Sequence, residues 1–343
     1  MRKLLNTLYI TTPESYLSKD GENIVVRVKD EDKFRIPVHN IEGIVCFGYT
    51  GASPALMGMC AERHVGLSFL SEYGHFLSRI SGPVSGNVLL RRQQYRLADN
   101  SEKALSLAKM FITGKIANCR AILQRALRDH ENSQGELILE PAIRLFSENI
   151  KQINQVSNAD ELRGIEGECA QVYFGAFDRL ILNNKDVFYM KGRNRRPPKD
   201  NVNALLSFLY TLLMHDVQSA LETVGLDPCV GFLHTDRPGR PSLALDMMEE
   251  FRPYLADRMV LTLINRKQIN ARGFQSNEGY GVIMTDETRK EVLTAWQRRK
   301  QEEIMHPYLQ EKISVGLLPY AQALLMSRFL KGDIDNYPVF LTK

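Results

Sequence analysis

Apolar positions change their spacing once along this chain, and the change falls near residue 98. Before it, short runs rich in Val, Ile and aromatic residues are separated by Asp, Gly and Asn, the pattern of half-buried strands and their turns. Strands are expected over 4–10, 23–29, 34–38, 41–47 and 65–70, with a turn at 19–23, one short helix over 54–63 and a hairpin-like stretch around Gly74. After Ala98-Asp99-Asn100, apolar residues recur every three or four positions. Leu105, Ala108, Ile112, Ile116, Cys119, Leu123 and Leu127 lie on one face of a long helix over 101–130. Further helices are expected over about 140–157, 161–184, 202–224, 243–258, 286–303 and 317–331, with Asp160 and Ser242 as N-caps and Gly225 as a C-terminal stop. The fold class is therefore α+β. A strand-rich N-terminal domain over 1–98 reads as scaffold, and a larger all-α domain over 99–343 is left to carry the chemistry.

Composition narrows this picture only slightly. The 343 residues are 44% apolar, enough to bury two cores. The 44 Lys and Arg against 40 Asp and Glu leave a net charge of +4, too mild an excess to mark a nucleic-acid binder, so the placement of charge matters more than its sum. Cys46, Cys60, Cys119, Cys169 and Cys229 form no CxxC pair and are expected to be small buried residues in a reducing compartment. The N-terminus lacks the apolar run and small-residue cleavage site of a signal peptide, and no window approaches the ~20 apolar residues of a membrane helix. A soluble, cytoplasmic protein is expected.

Three features stand out as chemistry. The first is Glu166, beside the apolar stripe Leu162, Ile165, Cys169, Val172 and Ala176 and flanked by Gly164 and Gly167. Each glycine costs a helix about 1 kcal/mol relative to alanine, so two around one carboxylate suggest a close backbone approach; a solvated edge glutamate with incidental glycines fits the same pattern. The second is the stretch 227–253. An apolar run ends at His234, a Pro/Gly/Arg loop follows, and Asp246, Glu249 and Glu250 then share one helical turn. An imidazole leading into such a helix suits a divalent metal, and equally suits a core-edge histidine next to a charged face. The third is 191–199, KGRNRRPPK, with five positive charges in nine residues and prolines that bar a helix. Arg193, Arg195, Arg196 and Lys199 are candidates for phosphate contacts, or for a solvated loop, and Asp200 can cap the helix that follows.

Taken in order, GIEGECAQVYF (164–174), GRNRRPPKDNVNALLSFLYTLL (192–213) and GLDPCVGFLHTDRPGRPSLALDMMEEFRP (225–253) resemble the CRISPR-associated adaptation integrase family, and their wording looks most like its I-C subtype. The resemblance covers essentially the whole chain. It implies an N-terminal β domain and a C-terminal helical domain, with a divalent cation, Mn²⁺ or Mg²⁺, held by Glu166, His234 and Glu249. Many members carry Asp where Glu249 stands, so the reach is one methylene longer here. Asp246 falls on a further functional carboxylate, one that could orient a metal-bound water, support His234 or assist proton removal. The implied reaction is transesterification, in which the 3′-hydroxyl of a captured DNA fragment attacks a phosphodiester at the boundary of a repeat array. The implied partners are double-stranded DNA, a second copy of the chain in a homodimer, and a small ferredoxin-like CRISPR-associated protein bridging two dimers. From the residues alone, a stand-alone DNA repair nuclease and a non-catalytic DNA-binding scaffold remain as alternatives.

Overall fold

The computed structural model describes residues 6–342 apart from 30, 73–75, 81, 83–86, 130–135 and 280. The chain divides into two compact units, one made of 1–86, 284–304 and 313–317, the other of the remaining residues. In the first unit, β1 (Thr7–Ile10), β2 (Ser15–Asp20), β3 (Asn23–Val28), β4 (Glu31–Pro37), β5 (Gly43–Phe47), β6 (Gly51–Ala52), β7 (Gly66–Leu70) and β8 (Phe76–Ile80) form two four-stranded sheets. One runs β1-β5-β7-β8, parallel except for its last strand, and the other runs β4-β3-β2-β6, an antiparallel meander with β6 parallel to β2. Alternation along these strands sends Leu17, Ile24, Val26, Ile44, Cys46 and Leu67 into one shared core. Leu56, Met59 and Cys60 of α1 (Pro54–Glu62) complete it. The antiparallel pairing of β7 and β8 agrees with the hairpin expected around Gly74, whose turn at 73–75 lies outside the described residues.

The expected boundary at 98/99 differs from this division. Residues 286–303 were expected in the helical domain, yet Asp286–Gln301 (α9) belongs to the strand-rich unit. It buries Val292, Leu293 and Trp296, sets the Arg289 guanidinium 5.7 Å from the centroid of the Phe47 ring, and places Lys300 Nζ 3.3 Å from Thr7 Oγ1. Conversely, α2 (Val88–Ala98) was not foreseen and belongs to the second unit. Its buried Gln94 donates to the carbonyls of Asp227 (2.8 Å) and Val230 (2.9 Å) and accepts from Asp227 N (3.0 Å).

The second unit is helical. It contains α3 (Ser101–Asp129), α4 (Glu136–Ile153), α5 (Ala159–Phe177), α6 (Asn201–Val224), α7 (Ser242–Met248), α8 (Arg258–Asn265) and α10 (Leu318–Lys331). Helix α6 is its buried axis, with Leu205, Leu206, Leu209 and Leu213 removed from solvent. As expected, Asp200 caps α6 by accepting from Asn203 N (2.8 Å), and Gly225 ends it at φ +85°, a conformation other residues adopt only under strain. Other boundaries differ. The N-cap of α5 is Asn158, which accepts from Glu161 N at 2.9 Å, not Asp160. Ser242 is inside α7 and donates to Thr235 O (3.3 Å) rather than capping. The helix expected over 243–258 breaks after Met248, where a π-helical stretch, Arg252–Asp257, precedes α8. Pro253 lies within that stretch and has no N–H to give an α-helical bond. Four cysteines are buried as expected, whereas Cys229 is exposed. Burial pushes the Cys46 thiol up to about 12 and those of Cys60 and Cys169 to about 11, well away from nucleophilic thiolates. Among the described residues, no helix is long and apolar enough to cross a membrane.

Candidate active site

Helix α7 presents two carboxylates whose surroundings differ completely. Asp246 is fully buried. Its Oδ2 accepts from the backbone N–H groups of Phe232 (2.6 Å) and Leu233 (2.9 Å), and its Oδ1 accepts from His234 N (3.0 Å) while standing 2.6 Å from His234 Nδ1. The loop 231–234 is thus wound around one carboxylate, and only glycine fits where the approach is closest: a Cβ on Gly231 would lie 2.8 Å from Asp246 Oδ2. Because a carboxylate accepts, Nδ1 is the donor of this pair, and in the neutral imidazole that tautomer leaves the lone pair on Nε2. Asp246 itself has no oxygen left to offer a ligand.

Glu249, three residues on, is also buried, but in the company of cations. Arg252 Nη1 stands 2.7 Å from its Oε1 and Lys115 Nζ stands 2.9 Å from its Oε2. Burial works against the charge, yet Arg252 and Lys115 outweigh it and hold the Glu249 carboxyl down at about 2. At 2.9 Å the Lys115 ammonium is the partner of the buried Oε2, both in charge and as a donor. On its other side the Lys115 ammonium pairs with Glu166 Oε1. Lys115 therefore joins the glutamate of α5 to the glutamate at the end of α7, and His234 is near enough to act on the charge of Glu249. Glu250 takes no part. It turns the other way to accept from Tyr337, Phe340 N and Gln322, and burial raises its carboxyl to about 8. The three acids expected to share one turn thus have three separate sets of partners.

Beside this cluster lies a cavity of about 610 Å³ whose wall includes Lys115, Glu166, Arg193, Arg195, Arg252 and Asp257. The basic segment 191–199 reaches it, though not as a flexible loop. Asn203 of α6 accepts from Asn194 N (3.1 Å) and donates to Gly192 O (2.9 Å), and Asn194 accepts from Lys199 N (2.6 Å). Arg193 is itself held, donating to Asn203 Oδ1 (2.7 Å) and Ser207 Oγ (3.1 Å) with its guanidinium 5.3 Å from the centroid of the Tyr210 ring. Arg195, Arg196 and Lys199 are exposed. The glycines flanking Glu166 do not mark a close approach within the chain, since a Cβ on Gly164 or Gly167 would meet nothing within 4 Å.

The donor set fits a divalent cation in kind: two carboxylates already gathered on one cation, and an imidazole whose Nδ1 is turned to Asp246. As they stand, no three His, Cys, Asp or Glu side chains among the described residues are gathered around one point. An ammonium occupies the junction of the two glutamates instead.

The family described as CRISPR associated protein Cas1 matches residues 8–298 of this sequence. The chain belongs to that family. A CRISPR-associated endonuclease Cas1 of Chlorobaculum tepidum is 53% identical over 342 residues, covering 99% of both chains. Among solved structures, a casposase bound to integration product superposes with a TM-score of 0.84 at 21% identity, covering 98% of this chain and 93% of the other. The Cas1-containing chain of a Cas6-RT-Cas1–Cas2 complex superposes with a TM-score of 0.85 at 19% identity, covering all of this chain and 37% of that one. At those identities the two structures speak for the fold. The sequence had singled out Glu166, His234, Asp246 and Glu249. It leaves out Lys115, the cation that joins Glu166 to Glu249, and Arg252, the second cation on Glu249. Lys115 had left a trace: it stands four residues from both Phe111 and Cys119, on the buried side of a helix where a lysine needs a partner.

Proposed function

We propose that the chain is a metal-dependent DNA endonuclease and integrase of CRISPR adaptation, joining the 3′-hydroxyl of captured DNA fragments to a repeat array by transesterification. The observation that carries this reading is the junction of Glu166 and Glu249 on Lys115 beside a cavity lined by arginines, with the Asp246-oriented His234 near enough to act on the charge of Glu249. Glu166, Glu249 and His234 Nε2 would hold Mn²⁺ or Mg²⁺. When bound, such an ion lowers the pKa of an attacking hydroxyl and offsets charge on phosphoryl oxygens. Asp246 keeps the proton on Nδ1 so that Nε2 faces outward. Arg252 fixes Glu249 through one oxygen, and the other meets Lys115. Arg195 lies in the wall of the cavity, where a guanidinium can grip phosphate in two-pronged fashion without reading sequence.

The partners in this reading are double-stranded DNA, a second copy of the chain in a homodimer, and a small ferredoxin-like CRISPR-associated protein; what supports a protein partner is that Cas1 stands beside Cas2 in the Cas6-RT-Cas1–Cas2 complex. A repeat-bearing plasmid incubated with Mn²⁺ and fragments ending in either 3′-hydroxyl or 3′-deoxy tests the reaction. Joined product with the hydroxyl ends alone is expected. Cleavage with both kinds of end and no joining would make the chain a nuclease that acts by hydrolysis.

A further inference from the structure

Resting on the assignment of Glu166 and Glu249 as ligands, we infer that Lys115 is a resident counter-cation of the metal centre: its ammonium holds the two glutamates together in the metal-free protein, and a divalent ion must displace it to bind. Lys115 is a positioning residue in this account, since it acts through the two carboxylates.

Three observations lead there. Lys115 Nζ pairs with both glutamates at once, although one comes from α5 and the other from the end of α7. Its side chain is only 12% exposed, so its charge is not spread into solvent and two acids close together need it or an equivalent cation. The oxygen that it meets on Glu249, at 2.9 Å, is the one that Arg252 does not hold. Incoming metal therefore competes with the ammonium for the same oxygen atoms, and two like charges left without either cation would repel. Once displaced, the ammonium remains in the wall of the 610 Å³ cavity, where it adds to the positive charge of Arg195 and Arg252. Metal entry would then strengthen the attraction of the cavity for phosphate.

The test is calorimetric titration of Mn²⁺ alone into the full, DNA-free chain. Lys115→Met removes the competitor and keeps the apolar stem; it should bind Mn²⁺ at least about tenfold more tightly than the unaltered protein. Lys115→Arg keeps the charge and should bind no more tightly than the unaltered protein. Equal or weaker Mn²⁺ binding by a folded Lys115→Met overturns the inference. Should that variant not fold, the unaltered protein decides: reductive methylation read by mass spectrometry should label Lys115 faster with Mn²⁺ present, and an equal or slower rate overturns the inference. Glu166→Gln and Glu249→Gln separate this from the parent reading. If neither weakens Mn²⁺ binding, the metal assignment itself fails; if both do and Lys115→Met binds like the unaltered protein, only the role of Lys115 fails.

Discussion

At the scale of single residues, the two carboxylates of α7 should respond to amide substitution to different degrees in stability and in metal binding. Asp246 accepts from three backbone N–H groups and the His234 ring. An amide can accept on one side only, so Asp246→Asn turns an NH₂ group toward at least one of those donors. A destabilisation of about 1–3 kcal/mol is expected, together with a loss of about 10–100-fold in metal affinity or activity. Glu249→Gln keeps the shape and removes the charge that faces Lys115 and Arg252. It should weaken Mn²⁺ binding more than Asp246→Asn does, because an amide oxygen is a poorer partner for a hard cation. Thermal melts and Mn²⁺ titration of the two variants side by side check this, and a greater loss of metal in Asp246→Asn would reverse the roles.

The residue types of this site could be read in the sequence. Their division of labour could not. Asp246, Glu249 and Glu250 look alike on a helical wheel, and only the fold shows that one faces a loop, one a pair of cations and one the C-terminal segment. Lys115 comes from a helix about fifty positions earlier in the chain than Glu166, and no spacing rule links the two.

At the scale of elements, periodicity located the strands β3, β5 and β7 and the long helices α3 and α6 to within a few residues. It failed where a side chain outside the element decides the outcome. Helix α2 is pinned through Gln94 to residues 227 and 230, and the helix expected over 243–258 is interrupted around Pro253. The basic segment 191–199 shows the same limit. Its prolines promised an extended loop, yet Asn194, Asp200 and Asn203 tie it to the start of α6. Its arginines should therefore separate in experiment. Arg193→Ala should lower the melting temperature, because Arg193 is spent on Asn203, Ser207 and the Tyr210 ring. Replacing exposed Arg195 and Arg196 with Ala should leave the melt unchanged and weaken binding to all duplex sequences alike. The log–log salt slope of that double variant should flatten by up to about 0.9 per lost phosphate contact. An unchanged slope would leave these two side chains merely solvated.

For the molecule as a whole, one buried acid should leave a signature in stability against pH. Asp257 accepts from Tyr210 (2.7 Å) and Tyr173 (3.0 Å), with Arg252 and Arg193 close by in charge terms. Burial outweighs these favourable partners and raises its carboxyl to about 6 from an ordinary 3.8. The folded chain therefore keeps a proton that the unfolded chain has released. The stabilisation that this supplies is fully present below the ordinary value and is lost as pH rises through about 6, a fall on the order of 3 kcal/mol. Urea melts across that range should show Asp257→Asn with a flatter profile than the unaltered protein. Parallel profiles would mean that the acid is charged throughout.

The central claim is that Glu166 and His234 serve one metal-dependent strand-transfer centre. Both side chains are partly exposed and sit at the edge of the helical core, so truncating either should leave the fold intact. The most direct measurement is the yield of joined product from 3′-hydroxyl fragments and a repeat-bearing plasmid, with Mn²⁺, for Glu166→Ala and His234→Ala preparations whose circular dichroism matches that of the unaltered protein. No joined product is expected from either variant. Full joining activity in either one would contradict the claim.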